Sequence, residues 1–304
     1  MSAAHLLRAR GHTIALGARP LLMGIVNASP DSFSDARRYD GLHERVALAR
    51  QLAADGAGIL DVGGESASTG REAVSVQEEI ERVLPLIERI VADPDIGGEV
   101  VVSVDTYKPA VARAAIAAGA AIVNDVSGLR DPELADVCAQ TGAALVVMHT
   151  RAAPKQRLQD PDLYGDVVED VLEFLRERVR LALAAGVGRE QLILDPGPDF
   201  AKTPAQTIEL LAHSERLHEL GLPLLMAISR KDFIGALTAR APRGRLAGTL
   251  AALAHGVDAG AHIFRVHDVA AAADFLRVRA ALRGELAPQR TLALAEEHRY
   301  EQMS

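Results

Sequence analysis

Three acidic or amide side chains each follow a short run rich in Val, Ile or Leu. They are Asp105, Asn124 and Asp195. Carboxylates accept hydrogen bonds and an amide both donates and accepts them, so together they could bind a flat heterocycle with N–H groups and ring nitrogens. The alternative is that each residue caps the helix that follows, a position that suits Asp and Asn. For one residue alone capping is favoured, and for the three together a shared site is favoured.

Basic side chains follow the last two apolar runs. Lys231 comes after one run, and Arg265 and His267 lie two apart at the next, so their side chains point to the same side of a strand. Arg offers a planar fork of donors and His can be cationic, which predicts a pocket for phosphate or pyrophosphate. The alternative is a girdle of ion pairs with Asp232 and Asp268.

Eight short apolar runs, separated by longer amphipathic stretches, are the elements that must position these residues. The runs show little polar alternation, as strands buried on both faces do, and they are Leu21–Val26, Ile59–Val62, Val100–Val104, Ala121–Val123, Ala144–Met148, Leu192–Leu194, Leu222–Ile228 and Ile263–Val266. Val76–Val91 and Val167–Leu183 have helical periodicity. Strands that alternate with helices predict a parallel α/β sheet, and eight strands close a (β/α)8 TIM barrel.

A doubly wound open sheet is the alternative fold. The sequence contains neither G-x-G-x-x-G after the first strand nor G-x-x-x-x-G-K-[ST] anywhere, so the usual nucleotide-binding motifs of that fold are missing. A polar residue follows every predicted strand, and the active sites of barrels lie at that end. We therefore predict one barrel over residues 20–284, an N-terminal lead-in at 1–19 and a C-terminal tail at 285–304.

Composition excludes several classes of protein. No stretch of about 18 apolar residues without charge occurs, so we expect no transmembrane helix and no membrane partner. The net charge of −8, 3% aromatic residues and no Trp argue against nucleic-acid binding. Cys138 is the only cysteine, which excludes an internal disulfide, and no secretory signal begins the sequence. We therefore expect a cytoplasmic enzyme or small-molecule binder.

Several of these motifs, in this order, resemble the dihydropteroate synthase family over residues 20–282. The most specific are Asn27-Ala28-Ser29-Pro30-Asp31-Ser32-Phe33-Ser34-Asp35, Ser229-Arg230-Lys231 and Arg265-Val266-His267-Asp268. The resemblance implies a (β/α)8 barrel, a homodimer and a transferase that uses Mg²⁺. The implied reaction joins 6-hydroxymethyl-7,8-dihydropterin diphosphate to p-aminobenzoate and releases pyrophosphate, a step of folate biosynthesis.

The resemblance also implies roles for single residues. The implied pterin-binding set is Asp105, Asn124, Met148, Asp195 and Lys231. The implied p-aminobenzoate-binding set is Phe200, Ser229 and Lys231. The implied diphosphate-binding set is Asn27, Arg265 and His267, with Asn27 also reaching Mg²⁺. The implied catalytic set is Asp195, Lys231, Arg265 and His267.

Two loops depart most from the family's pattern, and a third has the mild change of Ala28-Ser29 for Val-Thr. After Gly63-Gly64-Glu65-Ser66 the family continues Thr-Arg-Pro-Gly, whereas this chain reads Ala67-Ser68-Thr69-Gly70-Arg71, and Arg71 is a hypothetical substitute for the missing Arg. The family's Gly-Phe-Gly-Lys becomes Asp199-Phe200-Ala201-Lys202, which adds an acid near the second-substrate site.

Three alternative functions are compatible with such a barrel, and only the second of them draws on the altered loop after Ser66. A pterin-binding methyltransferase shares the Asp and Asn set but would not need the basic cluster of Lys231, Arg265 and His267. A paralogue that binds pterin diphosphate, with an altered amine acceptor or no synthase activity, is the second. A phosphate-binding aldolase barrel is disfavoured because no lysine lies inside a predicted strand, where a Schiff base would form.

Overall fold

The protein is described by a computed structural model that covers residues 5–299, apart from 18, 29–40, 66–71, 97 and 99. Two short antiparallel strands, β1 (His5–Ala9) and β2 (His12–Leu16), precede an eight-stranded parallel sheet. Its strands are β3 (Leu21–Asn27), β4 (Ile59–Gly63), β5 (Val101–Asp105), β6 (Ile122–Asp125), β7 (Ala144–Met148), β8 (Leu192–Asp195), β9 (Leu225–Met226) and β10 (Ile263–Val266).

The parallel sheet closes into a barrel. Each of its strands pairs with the next along the chain from β3 to β8, and β10 pairs with both β3 and β9. A parallel bridge between Leu194 and Leu224 joins β8 to the β9 segment and completes the ring. The predicted (β/α)8 barrel is therefore confirmed.

Within the described residues, nine α-helices surround the barrel. They are α1 (Leu42–Ala54), α2 (Val76–Val91), α3 (Pro109–Ala117), α4 (Glu133–Thr141), α5 (Val167–Ala184), α6 (Pro204–Ala212), α7 (Asp232–Thr238), α8 (Leu246–Asp258) and α9 (Val269–Leu282). Short 3₁₀ helices lie at Arg189–Gln191, Ser214–Leu220, Pro242–Gly244 and Glu296–His298. No helix in this part of the chain is long and apolar enough to span a bilayer.

Local signals explain why the two predicted helices begin where they do. The Ser75 side chain accepts a hydrogen bond from the backbone N–H of Glu78 and caps α2. Asp166 caps α5 by accepting from the N–H groups of Val168 and Glu169. These caps satisfy N–H groups that have no partner inside the helix. The seventh predicted strand, Leu222–Ile228, is by contrast shorter in the structure, where β9 spans only Leu225–Met226. Pro223, which has no N–H to donate, lies just before it.

Residues 5–16, in the predicted lead-in, form the β1–β2 hairpin, which packs against the barrel. Leu7, Ala9 and Leu16 are buried in one apolar cluster with side chains of the barrel strands, including Met23 and Ile59. Their alternation along two short strands buries one face of the hairpin. This end of the barrel is therefore filled by apolar side chains, and the polar site lies at the carboxyl ends of the strands.

Candidate active site

A cavity of about 600 Å³ opens at the carboxyl ends of the barrel strands. Seven residues proposed from the sequence line it: Asn27, Asp105, Phe200, Ser229, Lys231, Arg265 and His267. The other three, Asn124, Met148 and Asp195, are buried in the same ring of strand ends. Parallel strands end at one edge of the sheet, which is why side chains far apart in sequence meet here.

Arg265 connects two carboxylates at the edge of this cavity. Its Nε donates to Oδ2 of Asp61 over 2.6 Å, and its Nη2 donates to Oδ2 of Asp105 over 2.8 Å. Nδ2 of Asn124 donates to the same Asp61 oxygen over 3.0 Å. Burial lowers the pKa of Arg265, but Asp61 and Asp105 outweigh it and the pKa is raised. The guanidinium therefore stays charged and joins predicted pterin-binding residues to the predicted anion pocket.

Asp61 is the residue of this network that sequence analysis missed. It lies inside β4, has no exposed surface, and its second oxygen, Oδ1, has no hydrogen-bond partner among the described residues. The available signal was an Asp between apolar residues in the middle of a predicted strand, because a buried carboxylate is rare unless it is paired. Its partners could not be read from the sequence, since Arg265 lies 204 positions away.

The two carboxyl groups assigned to the heterocycle have perturbed pKa values. Burial raises the pKa of Asp105 to about 7, with Arg265 opposing this effect and the charge of Asp61 adding to it. Burial also raises the pKa of Asp195, while the backbone N–H of Gly197 and the ammonium of Lys231 oppose it. Gly197 N–H donates to Oδ1 of Asp195 over 2.7 Å. Both groups are acceptors held in a desolvated environment.

The alternative of helix or turn capping applies mainly to Asp125, the neighbour of Asn124. Asp125 accepts from the backbone N–H groups of Ser127 over 2.7 Å and Leu129 over 2.5 Å. Asp195 makes one bond of this kind, whereas the side chains of Asp105 and Asn124 bond to Arg265 and Asp61. The structure thus separates a capping acid from those that form the cross-strand network.

The ion-pair girdle expected as an alternative does form, but with other arginines. Asp268 accepts from Arg230 at 2.7 Å, and Asp232 lies 3.0 Å from Arg245. Lys231 instead places its Nζ 4.4 Å from the centroid of the Phe200 ring. Burial lowers the pKa of Lys231, and the nearby carboxylates of Asp199 and Asp195 oppose this.

The expectation of a cationic His267 requires correction. Burial, with the charges of Arg230, Arg265 and Lys231, lowers the pKa of His267 to about 3. Its backbone N–H donates to Ser229 Oγ over 3.2 Å, and the hydroxyl lies 3.0 Å from Nδ1, to which it can donate. When the hydroxyl donates to Nδ1, the proton of the neutral ring is on Nε2. His267 is therefore a neutral donor, and Arg265 and Lys231 supply the positive charge.

A buried lysine supports the loop that carries Phe200. Nζ of Lys202 donates to Nδ1 of His149 over 2.8 Å and to the carbonyl oxygens of Gly197 and Phe200 over 3.0 and 3.1 Å. Burial lowers the pKa of Lys202 to about 7 and that of His149 to about 3. His149 in turn donates through Nε2 to Asp170 over 2.9 Å. Lys202, which has no exposed surface, therefore holds the loop from inside.

Glu65 anchors the strand end that leads to the altered loop. Its carboxylate lies 2.6 Å from Lys108 Nζ and 2.9 Å from Lys155 Nζ. These hydrogen bonds and charges lower the pKa of Glu65 against the raising effect of burial. Arg71 with the segment Ala67-Ser68-Thr69, and the motif from Ser29 to Asp35, lie outside the described residues.

Comparison with known proteins agrees with this geometry. The family model described as "Pterin binding enzyme" matches residues 23–267, which places the barrel and its site in that class of enzyme. The dihydropteroate synthase of Escherichia coli strain K12 is 39% identical over 295 residues, covering 97% of this chain and 99% of that protein. The chain belongs to the dihydropteroate synthase family, whose members are transferases.

Solved structures are similar over the same extent. The Xanthomonas albilineans dihydropteroate synthase with 4-aminobenzoic acid has a TM-score of 0.83 and 44% identity, covering 92% of this chain and 99% of that one. The same enzyme in complex with 7,8-dihydropteroate has a TM-score of 0.76 and 41% identity, covering 91% and 98%. The predicted family and fold are thus confirmed.

Proposed function

We propose that this protein condenses 6-hydroxymethyl-7,8-dihydropterin diphosphate with p-aminobenzoate, giving 7,8-dihydropteroate and pyrophosphate. The observation that carries the proposal is Arg265, which links the carboxylates of Asp61 and Asp105 to the basic side of one cavity. A substrate with a hydrogen-bonding heterocycle at one end and a diphosphate at the other needs these two environments side by side. The dihydropteroate complex of the Xanthomonas relative supports the same product.

The heterocycle would bind at the buried polar residues. Asp105, Asn124 and Asp195 provide acceptors and donors for the ring edge, with Met148 against its face and Lys231 at its rim. In the structure Arg265 already occupies one oxygen of Asp105. A ring N–H that takes this oxygen would release part of the guanidinium fork toward the diphosphate. Binding of the ring and binding of the anion would then be coupled.

The diphosphate would bind Arg265, the Nε2–H of His267, and Mg²⁺ held by Asn27. Mg²⁺ prefers oxygen ligands, keeps several waters and is commonly held by few protein groups together with substrate phosphates. Asn27, which lines the cavity, carries such an oxygen in its side-chain amide. One protein oxygen fits Mg²⁺, which takes its other ligands from water and from the phosphates of the substrate. When bound, the ion neutralises negative charge on the leaving diphosphate.

The chemical step follows from these placements. The C–O bond between the methylene carbon and the diphosphate breaks, and its electron pair leaves with the diphosphate, which Arg265 stabilises. The resulting cation is conjugated with the pterin, and the buried carboxylate of Asp195 stabilises its positive charge. The neutral arylamine nitrogen forms the new C–N bond, and the resulting ammonium is acidic enough to lose its proton to water, so no strong base is needed.

The second substrate would lie between Phe200, Ser229 and Lys231. The ring of Phe200 supplies an apolar wall, and the ammonium of Lys231 above it suits a substrate that carries a carboxylate. The homodimer and the cytoplasmic location that the resemblance implies stay predictions.

The test is pyrophosphate release from the dihydropterin diphosphate with Mg²⁺, in the presence and absence of p-aminobenzoate. We expect release that depends on p-aminobenzoate and yields dihydropteroate. Arg265→Lys should lose most of this activity, because one ammonium cannot reproduce the fork that meets Asp61 and Asp105. Arg279→Lys, a matched change at a surface pair with Asp258, should not. Substrate binding without this turnover would refute the synthase function.

A further inference from the structure

In the loop after β8, two residues other than glycine have left-handed backbone conformations. Asp199 has φ +65° and Ala201 has φ +52°, at the positions where the family's pattern has glycine. Glycine adopts this region without a steric penalty, whereas other residues are disfavoured and Asp is tolerated better than most. An Asp at this point therefore needs a compensating interaction.

Asp199 forms hydrogen bonds with residues of two helices, α6 and α7. Its backbone N–H donates to Oγ1 of Thr207 in α6 over 3.0 Å. Its Oδ2 accepts from the backbone N–H of Asp232, the first residue of α7, over 2.5 Å. The side chain thus ties the loop after β8 to the loop after β9, 33 positions later in the chain.

The hydrogen bond between Asp199 and Asp232 lies next to Phe200 and Lys231, the two residues assigned to the amine substrate. Phe200 follows Asp199 directly, Lys231 precedes Asp232 directly, and Lys231 Nζ lies 4.4 Å from the Phe200 ring centroid. The two loops are therefore held together at adjacent residues by a hydrogen bond and by a cation–ring contact. The second oxygen of Asp199, Oδ1, is buried and has no hydrogen-bond partner among the described residues. A glycine at position 199 could not make the side-chain hydrogen bond to Asp232.

We propose that Asp199 is a positioning residue for the amine substrate, because its carboxylate holds Phe200 and Lys231 at a fixed separation. This inference rests on the proposed function. A loop already ordered in its binding conformation loses less entropy when the ligand arrives. Phe200 and Lys231 are both assigned to the amine substrate, whereas only Lys231 is also assigned to the pterin, so the effect should be larger on the binding of p-aminobenzoate than on that of dihydropterin diphosphate.

Two substitutions at position 199 distinguish the effect of the carboxylate from the effect of the backbone conformation. Asp199→Gly suits the positive φ but removes the bond to Asp232, so the KM for p-aminobenzoate should rise about three- to tenfold, as for one lost hydrogen bond. The KM for dihydropterin diphosphate should rise less than this, because of the two residues only Lys231 is assigned to the pterin, and kcat should change less than the KM for p-aminobenzoate. Asp199→Asn keeps an acceptor oxygen and tolerates the same φ, so it should restore most of the affinity. Asp166→Gly, which removes a capping carboxylate from α5 outside the cavity, is the matched control.

Amide hydrogen exchange at Asp232 tests the bond independently of turnover. The amide should be protected in the wild type and in Asp199→Asn, and should exchange faster in Asp199→Gly. Equal protection in Asp199→Gly, or an unchanged KM for p-aminobenzoate, would overturn the proposal. A fall in kcat for all substrates at constant KM would also overturn it. A wild type without p-aminobenzoate-dependent turnover would refute the proposed function instead, and the exchange rate would still decide whether the loops are tied.

Discussion

Replacing Asp61 with Asn removes a buried charge while it keeps the size of the side chain. One oxygen of Asp61 accepts from Arg265 over 2.6 Å and from Asn124 over 3.0 Å, and the residue has 0% exposure. An Asn at this position still offers one acceptor oxygen. The substitution therefore tests what the charge contributes to the orientation of the two donors.

The expected size of the effect follows from the two hydrogen bonds. The bond from Asn124 becomes a bond between neutral groups, and the bond from Arg265 changes from an ion pair to a bond with one charged partner. A loss of about 1 kcal/mol for each gives about 2 kcal/mol in all. Because Arg265 keeps Asp105 as a partner, no cation is left unpaired in the interior. If half of the loss is expressed in ligand binding, the affinity for the pterin ring falls about fivefold.

The same substitution should change the pH dependence of binding. The charge of Asp61 contributes to the raised pKa of Asp105, which is about 7 in the wild type. An ionised Asp105 is the better acceptor for ring N–H groups, so affinity should rise with pH through about 7 in the wild type. Without the charge of Asp61 the pKa of Asp105 falls, and this rise should occur at lower pH.

The assay is equilibrium titration with 6-hydroxymethyl-7,8-dihydropterin at several pH values, together with urea denaturation. Asp125→Asn is the control, since Asp125 is also fully buried but bonds to backbone N–H groups of Ser127 and Leu129. It should lose stability, keep its affinity for the dihydropterin and shift the pH midpoint less. An Asp61→Asn protein with unchanged affinity and an unchanged midpoint would show that the reasoning is wrong.

Three further predictions concern the buried lysine, the neutral histidine and the metal. Because folding lowers the pKa of Lys202 from 10.5 to about 7, the unfolded chain binds the extra proton between these values. Wild-type stability should therefore rise with pH across this window, and Lys202→Met should lack this rise in urea denaturation. The pKa of His267 is about 3, so its ring does not titrate near neutral pH. His267→Gln should therefore lower the rate but leave the shape of the pH–rate profile unchanged between about pH 5 and 8. Loss of the rise or the fall of rate with pH in this range would contradict a neutral ring. Chelation of Mg²⁺ should stop pyrophosphate release and leave binding of the dihydropterin without diphosphate intact; release that persists would argue against a metal at Asn27.

Most of the fold could be predicted because its signals are local. The helix over Val76–Val91 has the predicted bounds, and the apolar runs are strands since each is buried on both faces. The β1–β2 hairpin was missed because only a few alternating apolar residues mark it, and these are buried by side chains of the distant barrel strands. The strand β9 is shorter than the apolar run at both ends, and only its first end lies near a local signal, Pro223.

The sequence alone determined which polar residues stand at the strand ends and in what order. It also determined that they share one site, because parallel strands end at a common edge of the sheet. Tertiary structure decided how those residues pair and which of them are charged. Arg265 meets Asp61 and Asp105 across 204 and 160 positions of chain, and burial makes His267 neutral. Pairing and protonation depend on distances across the barrel and on the loss of water around each group, and no local pattern of residues specifies either quantity.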